Sequence, residues 1–125
     1  LEGFNGKWGL SAAGTEADTG TTKQVIDVPA KTYVDKVVCI VTEAFAGGTP
    51  SLDVGDGDDV DGWVDTGDIT ETAIGTYVGD ETTTAAYCLG KYYGSADTID
   101  VVVSGILSDG TAYVLAHLVD LEDPL

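Results

Sequence analysis

Short runs rich in Val, Ile, Tyr and Thr alternate along the chain with clusters of Gly, Asp, Ser and Thr. Such runs, bounded by turn residues, are typical of β-strands, and no window shows the apolar stripe of an amphipathic helix. The pattern predicts eight strands, at residues 23–28, 34–42, 51–54, 62–65, 73–78, 85–93, 98–104 and 112–120. We therefore expect an all-β fold, an antiparallel β-sandwich that is jelly-roll-like.

The strand predicted at residues 98–104 alternates most regularly. Its apolar positions share one parity: Ile99, Val101 and Val103. Its polar positions share the other: Thr98, Asp100 and Ser104. Successive side chains of a strand point to opposite faces, so this strand should bury one face and leave the other in water.

Two stretches, VVCIV at 37–41 and YVLAHLV at 113–119, are apolar at both parities. A strand of this kind lies in the middle of a sheet, and its second face is covered by a loop or by another subunit. The two stretches therefore predict central strands and indicate a homo-oligomer.

Turn residues predict how the strands connect. Asp109 and Gly110 both tolerate positive φ, so they predict a tight hairpin that makes the last two strands antiparallel neighbours. Pro50 has no N–H to donate, so it should interrupt the chain just before the strand predicted at 51–54.

Residues 1–22 carry five glycines and follow neither the helix nor the strand period. We interpret them as an extended N-terminal arm, and residues 23–125 as the β-sandwich domain. The arm contains Phe4, Trp8 and Leu10, which we predict to be partner-binding residues. Aromatic residues on a glycine-rich terminal segment favour docking, onto this domain or a neighbour, whereas a purely disordered tail is poorer in them. A partly ordered tail is the alternative.

The charge balance excludes several kinds of partner. The 125 residues include 22 acidic residues against five lysines and no arginine, for a formal net charge of −17. Nucleic acid is therefore not an expected partner, because binding phosphates requires clustered Lys and Arg. The same charge disfavours an anionic membrane surface, and no apolar run is long enough to cross a bilayer.

Cys39 and Cys88 both lie in apolar runs, where a free thiol behaves as a small hydrophobic group. Two cysteines do not make a disulfide framework in a chain of this length. We predict that both are reduced.

Residues 51–69 contain seven aspartates interleaved with glycines. An EF-hand register that places Gly62 at position 6 puts Gly57 at position 1, so the first calcium ligand is missing. An irregular calcium site remains an alternative, with four candidate ligands: Asp56, Asp58, Asp59 and Asp61. The interpretation we favour is a solvated loop that is anchored to the core by Trp63, with no metal or cofactor.

The sequence offers no convincing catalytic group. His117 is the only histidine and lies within an apolar strand, and no G-x-S-x-G, P-loop or Cys/His metal spacing is present. We therefore predict that the protein is not an enzyme. A sugar-binding platform is conceivable from five aromatic residues: Trp63, Tyr87, Tyr92, Tyr93 and Tyr113. Tyrosines in strands are more often structural, and strand propensity with a half-buried position accounts for them without a ligand.

The order of motifs carries a resemblance. The stretch VVCIVTEAFAGGTPSLDVGDGDDVDGWVDTGDI is followed by a Thr-rich segment, then by GKYYGSADTIDVVVSG and DGTAYVLAHLV. From about Val25 to Val119, this order resembles small β-sandwich virion proteins of tailed bacteriophages, particularly capsid decoration (cement) and head-fibre proteins.

The resemblance implies a structural role without catalytic residues. Such a protein would bind the major capsid protein between capsomers, as a trimer or dimer, on the capsid surface after assembly in the bacterial cytoplasm. The alternative is a carbohydrate-binding module of a phage fibre or tail-associated protein, and a hydrolase is a more distant one.

Overall fold

The computed structural model describes residues 6–15, 20–105 and 109–121, the first of these ranges as backbone. These residues form eight strands: β1 Gly6–Thr15, β2 Thr21–Val28, β3 Thr32–Ala46, β4 Ser51–Gly55, β5 Gly75–Val78, β6 Lys91–Tyr93, β7 Asp97–Ser104 and β8 Asp109–Asp120. One 3-10 turn spans Thr66–Asp68. The described part of the chain includes no helix long and apolar enough to cross a membrane.

The strands form two antiparallel sheets. The larger has the order β1-β8-β3-β5, with β6 also pairing with β3, and the smaller has the order β2-β7-β4. The first strand thus lies beside the last, while the second lies beside the last but one in the other sheet. This nesting is that of a jelly roll. The predicted all-β antiparallel sandwich is confirmed.

The core lies between the two sheets. Strand β3 contributes Val34, Cys39 and Val41, and β8 contributes alternate residues from Ala112 to Leu118. From the smaller sheet, β7 contributes Ile99, Val101 and Val103, as its alternation predicts. Strands β3 and β8 are both central in the larger sheet, as their doubly apolar sequences predict, while a cover over their second face stays a prediction.

Two predicted strands are wrong in whole or in part. Residues 62–65 make only an isolated bridge, in which Val64 and Val54 exchange hydrogen bonds of 3.0 and 2.9 Å. Of residues 85–93, only 91–93 pair with β3. The residues before them form turns that end at Gly90, whose φ of 110° favours glycine. Local β propensity did not reveal these turns.

The predicted hairpin at Asp109 and Gly110 is also wrong, because β7 and β8 belong to different sheets. Both residues are part of β8. Gly110 has a φ of 139°, and a Cβ there would lie 1.9 Å from the buried ring of Phe45. The glycine is needed for this close approach and not for a two-residue turn.

The predicted arm contains a strand that the sequence analysis missed. From Gly6 to Thr15, β1 pairs with β8, with Trp8 opposite His117 and Leu10 opposite Leu115. Glycines and isolated apolar residues hide the alternation, and the partner strand is distant in sequence. Strand β2 begins at Thr21, so it includes the end of the predicted arm. The division into an arm and a domain stays a prediction, and Phe4 lies outside the described residues.

Candidate functional site

The aspartate-rich loop folds around the carboxylate of Asp56. Its Oδ1 accepts hydrogen bonds from the backbone N–H groups of Asp58, at 2.9 Å, and Asp59, at 3.0 Å. The backbone N–H of Asp56 donates to the carbonyl of Asp59 at 2.9 Å. This is the side-chain-to-backbone turn that aspartate forms readily, which explains why an Asp-Gly-Asp-Asp stretch turns here.

Three long side chains hold the same carboxylate from the other side. Lys91 Nζ lies 2.6 Å from Asp56 Oδ2, and Tyr93 Oη donates to that oxygen at 2.7 Å. Tyr87 Oη lies 3.3 Å from Asp56 Oδ1 and accepts from Lys91 Nζ at 3.0 Å. The Asp56 side chain is completely buried, and a buried carboxylate needs this number of donors to remain ionised.

Trp63 connects this network to the core. Its side chain is buried, and its Nε1 donates to Tyr93 Oη at 3.0 Å. Its ring meets Tyr87 edge-on, with centroids 5.4 Å apart. Lys91 Nζ lies 4.2 Å from the centroid of the Tyr87 ring and 4.6 Å from that of Tyr93, within cation–π range. The prediction that Trp63 anchors the loop is confirmed.

The pKa shifts agree with the ion-pair geometry of Asp56 and Lys91. Burial raises the pKa of Asp56, but hydrogen bonds from Lys91, Tyr93 and the backbone outweigh burial and leave the pKa below its usual value. Burial lowers the pKa of Lys91, but its hydrogen bonds to Asp56 and Tyr87 outweigh burial and leave the pKa above its usual value. Burial and the Asp56 carboxylate both raise the pKa of Tyr93. None of these three groups titrates near neutral pH, where a general acid or base would be poised.

Three further aspartates of the same loop region form a cluster of their own. Carboxylate oxygens of Asp53, Asp61 and Asp65 lie within 4.8 Å of one another. Each accepts a protein hydrogen bond: Asp53 from the Thr66 N–H at 2.8 Å, and Asp61 and Asp65 from the Thr84 hydroxyl at 2.8 and 3.0 Å. Burial raises the pKa of Asp53, and the neighbouring carboxylates raise it further.

The aspartates that could bind calcium in the structure differ from the four that the sequence suggested. The four aspartates suggested by the sequence do not converge within the described structure. Asp56 instead lies near Asp58 and Asp97, and Asp61 near Asp53 and Asp65. Asp56 is already paired with Lys91. That folding does not depend on calcium stays a prediction, which melting with and without a chelator tests.

The sugar platform does not form as the sequence suggested. Trp63 and Tyr93 are buried in the network, so they cannot stack on a ligand. Tyr92 is 52% exposed. It borders a groove of about 430 Å³ that Asp58, Lys91 and Asp97 also line. This groove, and not a five-residue platform, is where an exposed tyrosine and carboxylates could receive a sugar.

His117 and Tyr113 lie on the outer face of the larger sheet, the face turned away from the core. Its outward residues follow the strand register in two apolar rows, which are Val78, Val38 and Leu115, and Tyr92, Tyr33 and Val119. Between these rows, His117 Nδ1 lies 2.7 Å from Asp35 Oδ1, and Lys36 is opposite His117. The register positions of Trp8 and Leu10 extend this region across β1.

Comparisons with known proteins agree with the architecture. No protein-family model and no curated protein sequence matches the chain. A chain of the cyanophage Pam1 capsid asymmetric unit is similar in structure, with a TM-score of 0.68 and 18% identity, over 96% of this chain and 88% of that one. A chain of the acidic stable capsid structure of Helicobacter pylori bacteriophage KHP30 gives a TM-score of 0.70 and 11% identity, over 92% and 87%.

At these identities, the similarity establishes the fold. It extends over most of each chain, so the whole sandwich is shared and not one hairpin or sheet. The resemblance to phage virion proteins is confirmed at the level of the fold.

Proposed function

We propose that this chain is a structural virion protein that decorates and stabilises the capsid of a tailed phage. It binds the major capsid protein between capsomers, in many copies, on the outer surface of a capsid assembled in the host cytoplasm. The observation that carries the proposal is the similarity of nearly the whole chain to chains of two phage capsids. The proposal is for a homo-oligomer, a trimer or dimer, with no nucleic acid or membrane as partner.

The chemistry of the described surface supports a structural role and not a catalytic one. The most elaborate polar arrangement, around Asp56 and Lys91, is a satisfied ion pair that fixes a loop to the core. No buried side-chain nitrogen or oxygen atom in the described residues lacks a hydrogen-bond partner. Catalytic sites commonly leave such groups strained or unsatisfied, so this arrangement favours rigidity.

In this proposal Phe4, Trp8 and Leu10 contact the capsid shell, because central apolar contacts usually dominate the binding energy of an interface. Deleting residues 1–22 would be a poor test, because it would remove β1 from the larger sheet. Single replacements Phe4→Ala and Trp8→Ala are better, and each melting midpoint must show that the variant is folded.

The test is co-sedimentation of the purified protein with heads that lack it. We expect saturable retention of the intact protein and weaker retention of the Phe4→Ala and Trp8→Ala variants. Val60→Ala is the control, since Val60 is exposed and lies in the aspartate-rich loop. If the intact protein stays in the supernatant, the decoration proposal is wrong.

The alternative, a carbohydrate-binding module of a fibre or tail-associated protein, is favoured by the groove beside Tyr92. Its aromatic ring and two carboxylates could stack on a sugar and accept its hydroxyl hydrogen bonds. Retention on a glycan array that is lost on Tyr92→Ala, together with no binding to heads, would replace the decoration proposal with this one.

A further inference from the structure

The central part of the outer face of the larger sheet is nearly free of carboxylates. Strands β1, β5 and β6, with residues 33–41 of β3 and 113–119 of β8, contain a single acidic residue, Asp35. The whole chain has 22. In a protein this acidic, the scarcity of carboxylates in five adjacent strand segments marks a surface that differs from the rest in its contacts with the surroundings.

The same face exposes large apolar side chains. Val78 is 45% exposed and Tyr92 52%, on the two strands that pair with β3 from the same side. Next to them, Leu89 is 76% exposed, and its carbonyl accepts from Tyr33 Oη at 3.3 Å. The central strands add half-buried apolar side chains: Val38, Ile40, Tyr113, Leu115 and Val119. Tyrosine with aliphatic residues and few charges is the composition of an interface core.

The charges at the centre of this face are self-complementary. The register of β3 on β8 shifts between Val34 and Lys36, and as a result Asp35 and Lys36 are both exposed although they are consecutive. A second copy turned about a two-fold axis can therefore place its lysine near this aspartate, and the reverse contact follows by symmetry. An isologous interface requires this self-complementarity.

We propose that the central part of the outer face, formed by β3, β5, β6 and β8, is the contact surface between two copies of this chain, related by a two-fold axis. Two chains of net charge −17 repel each other least when they meet through the surface that has the fewest carboxylates. Apolar burial then drives association, and Asp35 and Lys36 fix the orientation. The inference goes beyond the proposed function and does not rest on it. Of the two oligomers considered there, it selects the dimer.

Sedimentation equilibrium of the purified chain tests the proposal without any phage component. We expect a mass twice that of the 12.9 kDa chain at concentrations on the order of tens of micromolar. The dimer dissociation constant should decrease as sodium chloride screens the repulsion between the two copies.

Two variants locate the contact. Val78→Thr keeps strand propensity but replaces a methyl by a hydroxyl on the outer face, and it should raise the dimer dissociation constant several-fold because it occurs twice per dimer. Val60→Thr is the matched control, at a valine that is 55% exposed in the aspartate-rich loop, and it should leave the constant unchanged. Lys36→Glu, at an exposed position, should raise it by about tenfold or more, since each copy then carries two acids there.

Melting and far-UV spectra verify that each variant is folded. A monomer at all concentrations and salt levels would overturn the proposal. A dimer that is insensitive to both Val78→Thr and Lys36→Glu would also overturn it, because the contact would then lie elsewhere. If the protein is monomeric and the two variants instead lose binding to heads, the face belongs to the capsid shell and the self-association proposal is wrong.

Discussion

The two outer faces of this sandwich differ in chemistry although they cover one core. On the smaller sheet, the outward positions of β7 include Thr98, Asp100 and Ser104, and the hydroxyl of Ser104 is hydrogen-bonded to that of Ser51 on β4. On the larger sheet, the outward positions are mostly apolar or aromatic, and Asp35 is the one carboxylate in the central segments. Strand β7 of the smaller sheet therefore alternates apolar and mostly polar residues, although Asp100 on its outward side is itself buried, and the central strands of the larger sheet do not alternate.

The two sides also differ in whether their polar and apolar groups find partners within the chain. On the acidic side, the carboxylates of Asp53, Asp56, Asp61 and Asp65 each have hydrogen-bond donors from the chain itself. These carboxylates therefore need no partner molecule to supply hydrogen bonds. The outer face of the larger sheet has apolar surface that no described residue covers, so a partner is expected there.

The largest expected effect is on the buried ion pair. Asp56→Ala would leave the Lys91 ammonium and the Tyr93 hydroxyl without their acceptor, and should lower the free energy of unfolding by about 3 kcal/mol. Asp58→Ala is the matched control, because Asp58 also lies 3.5 Å from Lys91 but its side chain is 79% exposed. It should cost less than about 0.5 kcal/mol in urea unfolding. Equal losses of stability in the two variants would show that the buried Asp56–Lys91 pair stabilises the fold no more than the exposed contact of Asp58.

A second large effect is expected where β8 passes the end of β3. In Gly110→Ala, the new Cβ would meet the Phe45 ring and the φ of 139° would be strained, so we expect a loss of about 2 kcal/mol. Gly57→Ala is the control, since its Cβ would lie at an ordinary 3.5 Å from Asp97 Oδ1. Thermal melting measures both, and a Gly110→Ala variant as stable as the parent would contradict this packing.

The acidic side should give stability a maximum at mildly acid pH. Burial raises the pKa values of Asp53 and Asp100 above 3.8, so the folded state binds these protons more tightly and is stabilised as the pH falls toward them. The pKa of Asp56 is lowered, so its stabilising effect is present above pH 3.8 and is lost as the pH falls through its folded value. We expect the melting midpoint to rise as the pH falls from neutral toward the ordinary aspartate value of 3.8 and to decrease below it.

Asp53→Asn should flatten this rise without affecting the loss at lower pH. A midpoint that only decreases from neutral pH to about pH 4 would contradict the raised pKa values.

Salt should produce a smaller change of the same sign. Eleven carboxylates lie between Lys36 and Lys91 with no lysine or arginine between them, and they repel one another at neutral pH. Raising sodium chloride from about 0.05 to about 1 M shortens the screening length, so the melting midpoint should rise by a few degrees. A flat midpoint over this range would mean that the local hydrogen bonds already neutralise the repulsion.

The smallest expected signal is in thiol chemistry. Cys39 and Cys88 form no disulfide in the structure, and their reduced state stays a prediction. Burial raises the pKa of the Cys39 thiol to about 12, so only Cys88, which is partly exposed, should react with a thiol reagent in the native protein. After unfolding without reductant, two thiols should react. Finding none would indicate a disulfide.

Local patterns in the sequence were sufficient for some of these features. The alternation in residues 98–104 gave the correct inward face of β7, and the doubly apolar stretches gave the central strands β3 and β8. Each of these predictions depends on residues within one strand. The burial of Trp63 also followed from a local contrast, a large aromatic residue among aspartates and glycines.

Features that depend on distant partners could not be predicted. Strand β1 is stabilised by β8, about a hundred residues away, and its own glycines conceal it. Asp56 and Lys91 are 35 positions apart, so the spacing gave no indication of their pairing. The Asp109-Gly110 pair has the chemistry of a turn, but which sheet receives the next strand is decided by packing of the whole sandwich.

The central claim, decoration of a phage capsid, is tested most directly by counting this chain in purified virions of the phage that encodes it. Quantitative mass spectrometry would give its molar ratio to the major capsid protein. A decoration protein occupies equivalent sites over the whole shell, so the ratio should be a fixed simple fraction and the copy number comparable to that of the shell subunits. A copy number matching a single vertex or tail, a dozen or fewer, would contradict the account and favour the carbohydrate-binding alternative.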